Sequence, residues 1–144
     1  MSRPILEKSH ANDKEDGETY MEITERRTSD IVTLGLCGKL DGTTAKIFEE
    51  KILTRIDSGD RRFIIDVAEL QYISSAGLRV FILAAKRLDA SKGKLVLCGF
   101  KKTIPYYTLN RILDPVRETF DTAGFFTIFS TYGSHEDAIE GVQT

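Results

Sequence analysis

The chain has 144 residues, of which 41% are hydrophobic and 29% charged, with a formal net charge of −2. This is the length and balance of one globular domain with a single sizeable core, and the slightly acidic total argues against non-specific nucleic-acid binding, which requires a basic face. No apolar run approaches the roughly 20 residues that span a bilayer and Met1 to Tyr20 holds no apolar signal stretch, so a cytoplasmic protein without direct membrane insertion is expected.

Residues 1–19 carry Glu7, Lys8, Asp13, Lys14, Glu15, Asp16 and Glu18 among few apolar side chains. Such a segment buries too little surface to offset its ordering entropy. A flexible polar tail over 1–19 and a folded domain over 20–144 are therefore predicted. From Tyr20 the pattern changes: Tyr20, Glu22 and Thr24 alternate with Met21, Ile23 and Glu25, the period of an edge strand. Ser29-Asp30 forms a turn into the β-branched and apolar run Ile31 to Gly38, a second strand in a hairpin with the first. Gly38 to Gly42 reads as a loop, after which Thr43 or Thr44 can cap a helix with Ala45, Phe48, Ile52, Leu53 and Ile56 on its apolar stripe. Ser58-Gly59-Asp60 ends that helix.

Phe63 to Val67 has the composition of a central strand, and Glu69 to Ile73 reads as a loop. Ser74-Ser75 precedes a helix with the stripe Leu78, Phe81, Ile82, Ala85 and Leu88, stopped by Gly93, and Leu95 to Cys98 is the next strand. Strand, helix and strand within about 35 residues make a βαβ unit with parallel strands and a right-handed crossover. Farther on, Asp114-Pro115 opens a helix ended by Gly124, Phe126 to Phe129 reads as a short final strand, and Ser134 caps a last helix holding Ala138, Ile139 and Val142. The sum is an α/β domain, with about five strands in a mixed sheet and about four helices mainly on one side.

Little in this chain is suited to catalysis. Cys37 and Cys98 sit in strand-like runs and read as half-buried thiols; His10 and His135 lack metal-ligand spacing. Phosphate-cradling glycine motifs are absent, and no Gly-x-Ser-x-Gly elbow surrounds Ser75. No enzyme, cofactor or metal is expected. The informative run is Tyr72-Ile73-Ser74-Ser75-Ala76-Gly77-Leu78-Arg79, which places two hydroxyls at a helix start, where open N–H groups and the dipole favour a negative group. The residues alone leave open whether these serines do more than cap the helix.

Gly38-Lys39-Leu40-Asp41, Phe63 to Val67, Ile73-Ser74-Ser75-Ala76-Gly77-Leu78, Gly99, Ala123-Gly124-Phe125 and Glu136 to Ile139 follow one another in an order that resembles the STAS domain, and more narrowly the bacterial anti-sigma factor antagonists. The likeness runs from about Tyr20 to Val142. It implies a non-enzymatic partner switch. Unphosphorylated, such a protein binds an anti-sigma factor with serine kinase activity and so frees a sigma factor or other target; a metal-dependent serine phosphatase resets it. The resemblance places the phosphoacceptor at Ser75, with Ser74 second because it stands where the family often has Asp. It places partner binding on Asp41, Ser74, Ser75, Ala76, Gly77, Leu78 and Arg79. A homodimer is compatible with it. An alternative is a STAS subunit that docks on a transporter of the lipid-trafficking ABC type without phosphorylation; a ligand-holding sensory module is a third. Phe100 to Pro115, with Lys101, Lys102, Tyr106, Tyr107 and Arg111, is longer than the compact family pattern and reads as a surface insertion or a partner-specific contact.

Overall fold

Alternation along the strands decides which face of the sheet each side chain meets. In the computed structural model, which describes residues 7–10, 21–100 and 115–143, strand β2 (Met21–Thr28) buries Met21, Ile23 and Glu25 on one face. It returns through Ser29, at φ 57°, into the antiparallel β3 (Ile31–Leu40). Strands β4 (Arg62–Ile73) and β5 (Lys94–Cys98) then join in parallel, connected through helices α1 (Ala45–Asp57) and α2 (Ser75–Ala90). Helices α3 (Pro115–Thr122) and α4 (Phe125–Ile128) follow, then the two-residue β6 (Thr131–Tyr132) and helix α5 (His135–Gln143).

The sheet begins inside the segment whose composition predicts a tail. Glu7–His10 form β1, paired antiparallel with β2 in the register Glu7 to Glu25 and His10 to Glu22. A polar strand can do this because the ladder joins backbone to backbone and needs no apolar side chains. With β1 and β6 the mixed sheet has six strands in simple sequential order.

Its two faces are covered unequally. Val32, Leu34, Phe63, Ile65, Leu95 and Leu97 belong to the large core shared with Phe48, Ile52, Phe81, Phe120 and Phe125 of α1 to α4. The reverse face buries Ile31, Ile64, Val96 and Cys98 with Ala138 and Val142 of α5. The helices thus lie mainly on one side, with α5 alone behind. Phe81 is the hub of the larger core, its ring centroid 5.2 Å from Phe48, 5.3 Å from Phe120 and 6.1 Å from Phe125.

Three local readings change. Strand β3 runs through Gly38 to Leu40 and β4 through Glu69 to Ile73, both expected as loops. The two segments hold each other, Lys39 opposite Tyr72 and Leu40 opposite Ile73, after register shifts at Gly35/Cys37 and Gly38/Lys39. The irregular ladder scrambles the alternation that would have marked them as strand. Phe126 to Phe129 is not a strand. Phe125 and Phe129, four residues apart, both turn into the Phe81 cluster, and the Phe129 amide donates to the Phe125 carbonyl at 2.8 Å, closing a helical turn that leaves Ile128 61% exposed. The last strand comes after it, at Thr131–Tyr132. Lys101, Lys102, Tyr106, Tyr107, Arg111 and the cap Asp114 lie outside the described residues.

Candidate functional site at the start of α2

The first turn of α2 is built from the end of β4 and tied to the end of β3. The Ser74 amide donates to the Leu40 carbonyl at 2.9 Å, so the helix starts where the two parallel strands stop. Ser74 is the N-cap in extended backbone, and its hydroxyl accepts from the Gly77 amide at 3.4 Å. Gly77 is buried because Leu40 lies on it: a β-carbon there would come within 2.7 Å of Leu40 Cγ and 3.0 Å of Ile73 Cγ1. A larger residue would push the helix start off the strand.

The two serines therefore divide their work. Ser74 is half-buried and occupied by the cap, whereas Ser75 is exposed and its hydroxyl has no hydrogen-bond partner among the described residues. Leu78 and Ala76 are half-buried against the core, and Arg79, one turn beyond Ser75, is exposed.

Asp41 closes the neighbouring turn into α1. Its Oδ1 accepts from the Thr43 amide at 2.9 Å, the Thr43 hydroxyl at 3.0 Å and the Thr44 amide at 3.2 Å. Burial raises the pKa of this carboxyl, but the hydrogen bonds from Thr43 and Thr44 outweigh it and hold it below the ordinary aspartate value. Thr44 sits at the N-cap position of α1 without capping by its side chain; its hydroxyl donates to the Lys39 carbonyl at 2.7 Å. The sequence pattern assigns the cap to a threonine, but no side-chain cap forms at Thr44, and the Asp41 carboxylate instead closes the turn before α1.

Between the two helix starts runs an open groove of about 420 Å³. Ala45, Ala76, Val80 and Leu83 give it an apolar lining, and Lys46, Glu49 and Arg79 bring charge to it. The resemblance placed Asp41 and Ser74 to Arg79 in one region, and the fold brings the two segments together. It did not include Lys46, Glu49 and Leu83, though the spacing of Ser75, Arg79 and Leu83 at four-residue steps was a readable sign of a shared helix face. Elsewhere, burial and then the Asp66 carboxylate push the Cys98 thiol up to about 12, so it stays protonated and unreactive. Among the described residues no three His, Cys, Asp or Glu side chains converge as metal ligands, and no helix is long and apolar enough to cross a membrane.

Comparison with known proteins identifies the family of the fold. The STAS domain family profile matches residues 22–105. BtrV of Bordetella bronchiseptica, assigned as an anti-sigma factor antagonist, is 36% identical over 124 residues, covering 86% of this chain and 97% of BtrV. An anti-sigma factor antagonist from Mycobacterium paratuberculosis shares the fold with a TM-score of 0.69 at 17% identity, over 86% of this chain and 95% of that one. The phosphorylated form of the Bacillus cell fate determinant SpoIIAA does so with a TM-score of 0.59 at 23% identity, over 85% and 98%. An anti-sigma factor antagonist acts by binding an anti-sigma factor, which is a regulator's role and not an enzyme's. With a matched profile over more than half its length and a relative aligned almost end to end, the chain belongs to the STAS domain family, among its anti-sigma factor antagonists.

Proposed function

We propose that this antagonist is a phosphorylation-controlled switch with Ser75 as its acceptor. Unmodified, it binds an anti-sigma factor that is also a serine kinase; phosphate on Ser75 ends the binding, and a metal-dependent phosphatase restores it. The observation that carries this reading is the division between the serines. Ser74 is engaged as the α2 cap, while Ser75 offers an exposed hydroxyl with no partner among the described residues. The phosphorylated form of SpoIIAA, a protein of the same fold, supports the class of control.

Phosphate in the first turn of a helix is compatible with the dipole and leaves the fold intact. It adds about −1.5 to −2 charge, which a partner covering the α1–α2 groove must desolvate or face. A loss of about 1.4 kcal/mol is already tenfold in affinity, so a local charge change suffices to release the partner.

The test is to recover tagged chain from its own host without phosphatase treatment, identify what accompanies it and map phosphosites by mass spectrometry. A kinase-type anti-sigma factor, with phosphate on Ser75, is expected. Ser75→Ala should bind that partner constitutively and take up no phosphate, and Ser75→Asp should fold normally yet bind at least tenfold more weakly. Phosphate on Ser74 in the Ser75→Ala chain would move the acceptor. A transporter complex with unmodified Ser75 would overturn the reading.

A further inference from the structure

Every arginine among the described residues but one is engaged. Arg27, Arg55, Arg62 and Arg87 pair with carboxylates, Arg26 with His135, Arg61 with backbone carbonyls, and Arg117 with the Phe126 ring. Arg79 is the exception. It is exposed on α2 and has no hydrogen bond, ion pair or ring contact among those residues. It stands four residues after Ser75, on the same face of one helix. Helical side chains lean toward the N-terminus, so the guanidinium stem is directed over the turn that carries the Ser75 hydroxyl. Across the groove α1 presents Lys46 and Glu49. Glu49 makes no ion pair with Arg79, and Lys46 adds to the positive charge.

Resting on the reading of Ser75 as the acceptor, we infer that Arg79 receives the phosphate once Ser75 carries it. The guanidinium would donate to the phosphate oxygens in the bidentate geometry that suits it. Phosphorylation then does two things to the docking surface. It adds an anion, and it withdraws the guanidinium that is unengaged among the described residues from the rim of the groove, where an arginine is a favoured anchor for a partner. The modified surface is self-satisfied as well as repulsive.

The test uses the full chain with phosphoserine installed genetically at position 75, so that it does not depend on any kinase. The phosphate is titrated by phosphorus NMR in this chain and in versions that also carry Arg79→Gln, Arg79→Lys or, as a control far along α2, Arg87→Gln. An ion pair with Arg79 makes the second proton easier to lose. The second dissociation constant should be about twofold larger in the chain that keeps Arg79 than in the Arg79→Gln chain, as for helix pairs of this spacing. The control should match the unaltered chain, and the difference should shrink in 1 M salt. Equal constants with and without Arg79 would overturn the pairing, whatever the kinase result. Absence of natural phosphate on Ser75, with the twofold difference present, would instead sink the acceptor assignment and leave the pairing standing.

Discussion

Gly77 sets how closely α2 can approach β3. The side chain it lacks would collide with Leu40 and Ile73, and those two residues end the strands that position the start of α2. Gly77→Val should therefore destabilise the fold by about 2 kcal/mol, the range of overpacking a tight contact, and disturb partner binding with it. Urea denaturation of the two chains measures the first effect; an unchanged midpoint would show that Leu40 yields without cost. At this scale the site was half legible. Ser-Ser-Ala-Gly before an apolar stripe announces a helix start, but it does not say which serine caps. That follows only from the extended backbone of Ser74 and the bond its hydroxyl accepts from the Gly77 amide. The work of Asp41 was hidden for a similar reason: its partners Thr43 and Thr44 are themselves good caps by type.

Between elements, the least expected contact is the one that fastens α1 to β2. Glu25 lies on the buried face with Met21 and Ile23, only 4% exposed. Its carboxylate meets Arg55 Nε at 2.9 Å and Lys51 Nζ at 3.3 Å. Removing one member of a buried pair is costly because the others lose their compensation, though both cations here reach some solvent. Glu25→Ala should lower stability by about 2 kcal/mol, with Glu25→Gln in between; equal denaturation midpoints for all three chains would assign the fastening to apolar packing alone. The alternation Met21, Ile23, Glu25 was visible in the sequence, but a glutamate in third place reads as the end of a pattern. Only α1 laid across it supplies the cations that let it stay inside. The Phe125 turn failed as a strand reading on similar grounds, because aromatic residues suit strands by propensity and here a cluster of rings decided otherwise.

For the molecule as a whole, the parallel α/β arrangement was readable because two long amphipathic helices separate short apolar strands, and that signal survives local irregularity. The position of α5 was not, since its few apolar residues fit either face. It is held behind the sheet by Ala138 and Val142 and by His135, which joins three elements. The His135 Nε2 lies 2.8 Å from the Thr33 hydroxyl, and Nδ1 lies 3.2 Å from Arg26 Nη1. Arginine can only donate, so Nδ1 accepts and Nε2–H donates to Thr33. Burial, with Arg26 adding to it, lowers the His135 pKa from its ordinary 6.5, against the opposing pull of Asp66 and Glu136. The folded state then resists a proton that the unfolded state accepts. This contribution is complete above pH about 6.5 and is lost as pH falls below it toward the lowered folded value. Thermal midpoints should decline from pH 7.5 to pH 5 more steeply for the natural chain than for His135→Gln; parallel declines would remove His135 as the cause.

The bond from the Ser74 amide to the Leu40 carbonyl also divides fast from slow. That amide belongs to the junction of sheet and helix, and it is released to solvent only when the junction opens. The amides of Ser75 and Ala76, in the helix's first turn, have no carbonyl one turn back to bind among the described residues, and they should exchange as open donors. A boundary between two time scales thus falls between adjacent residues. An enzyme acting at Ser75, the acceptor proposed above, would meet an exposed hydroxyl and have no local unfolding to wait for.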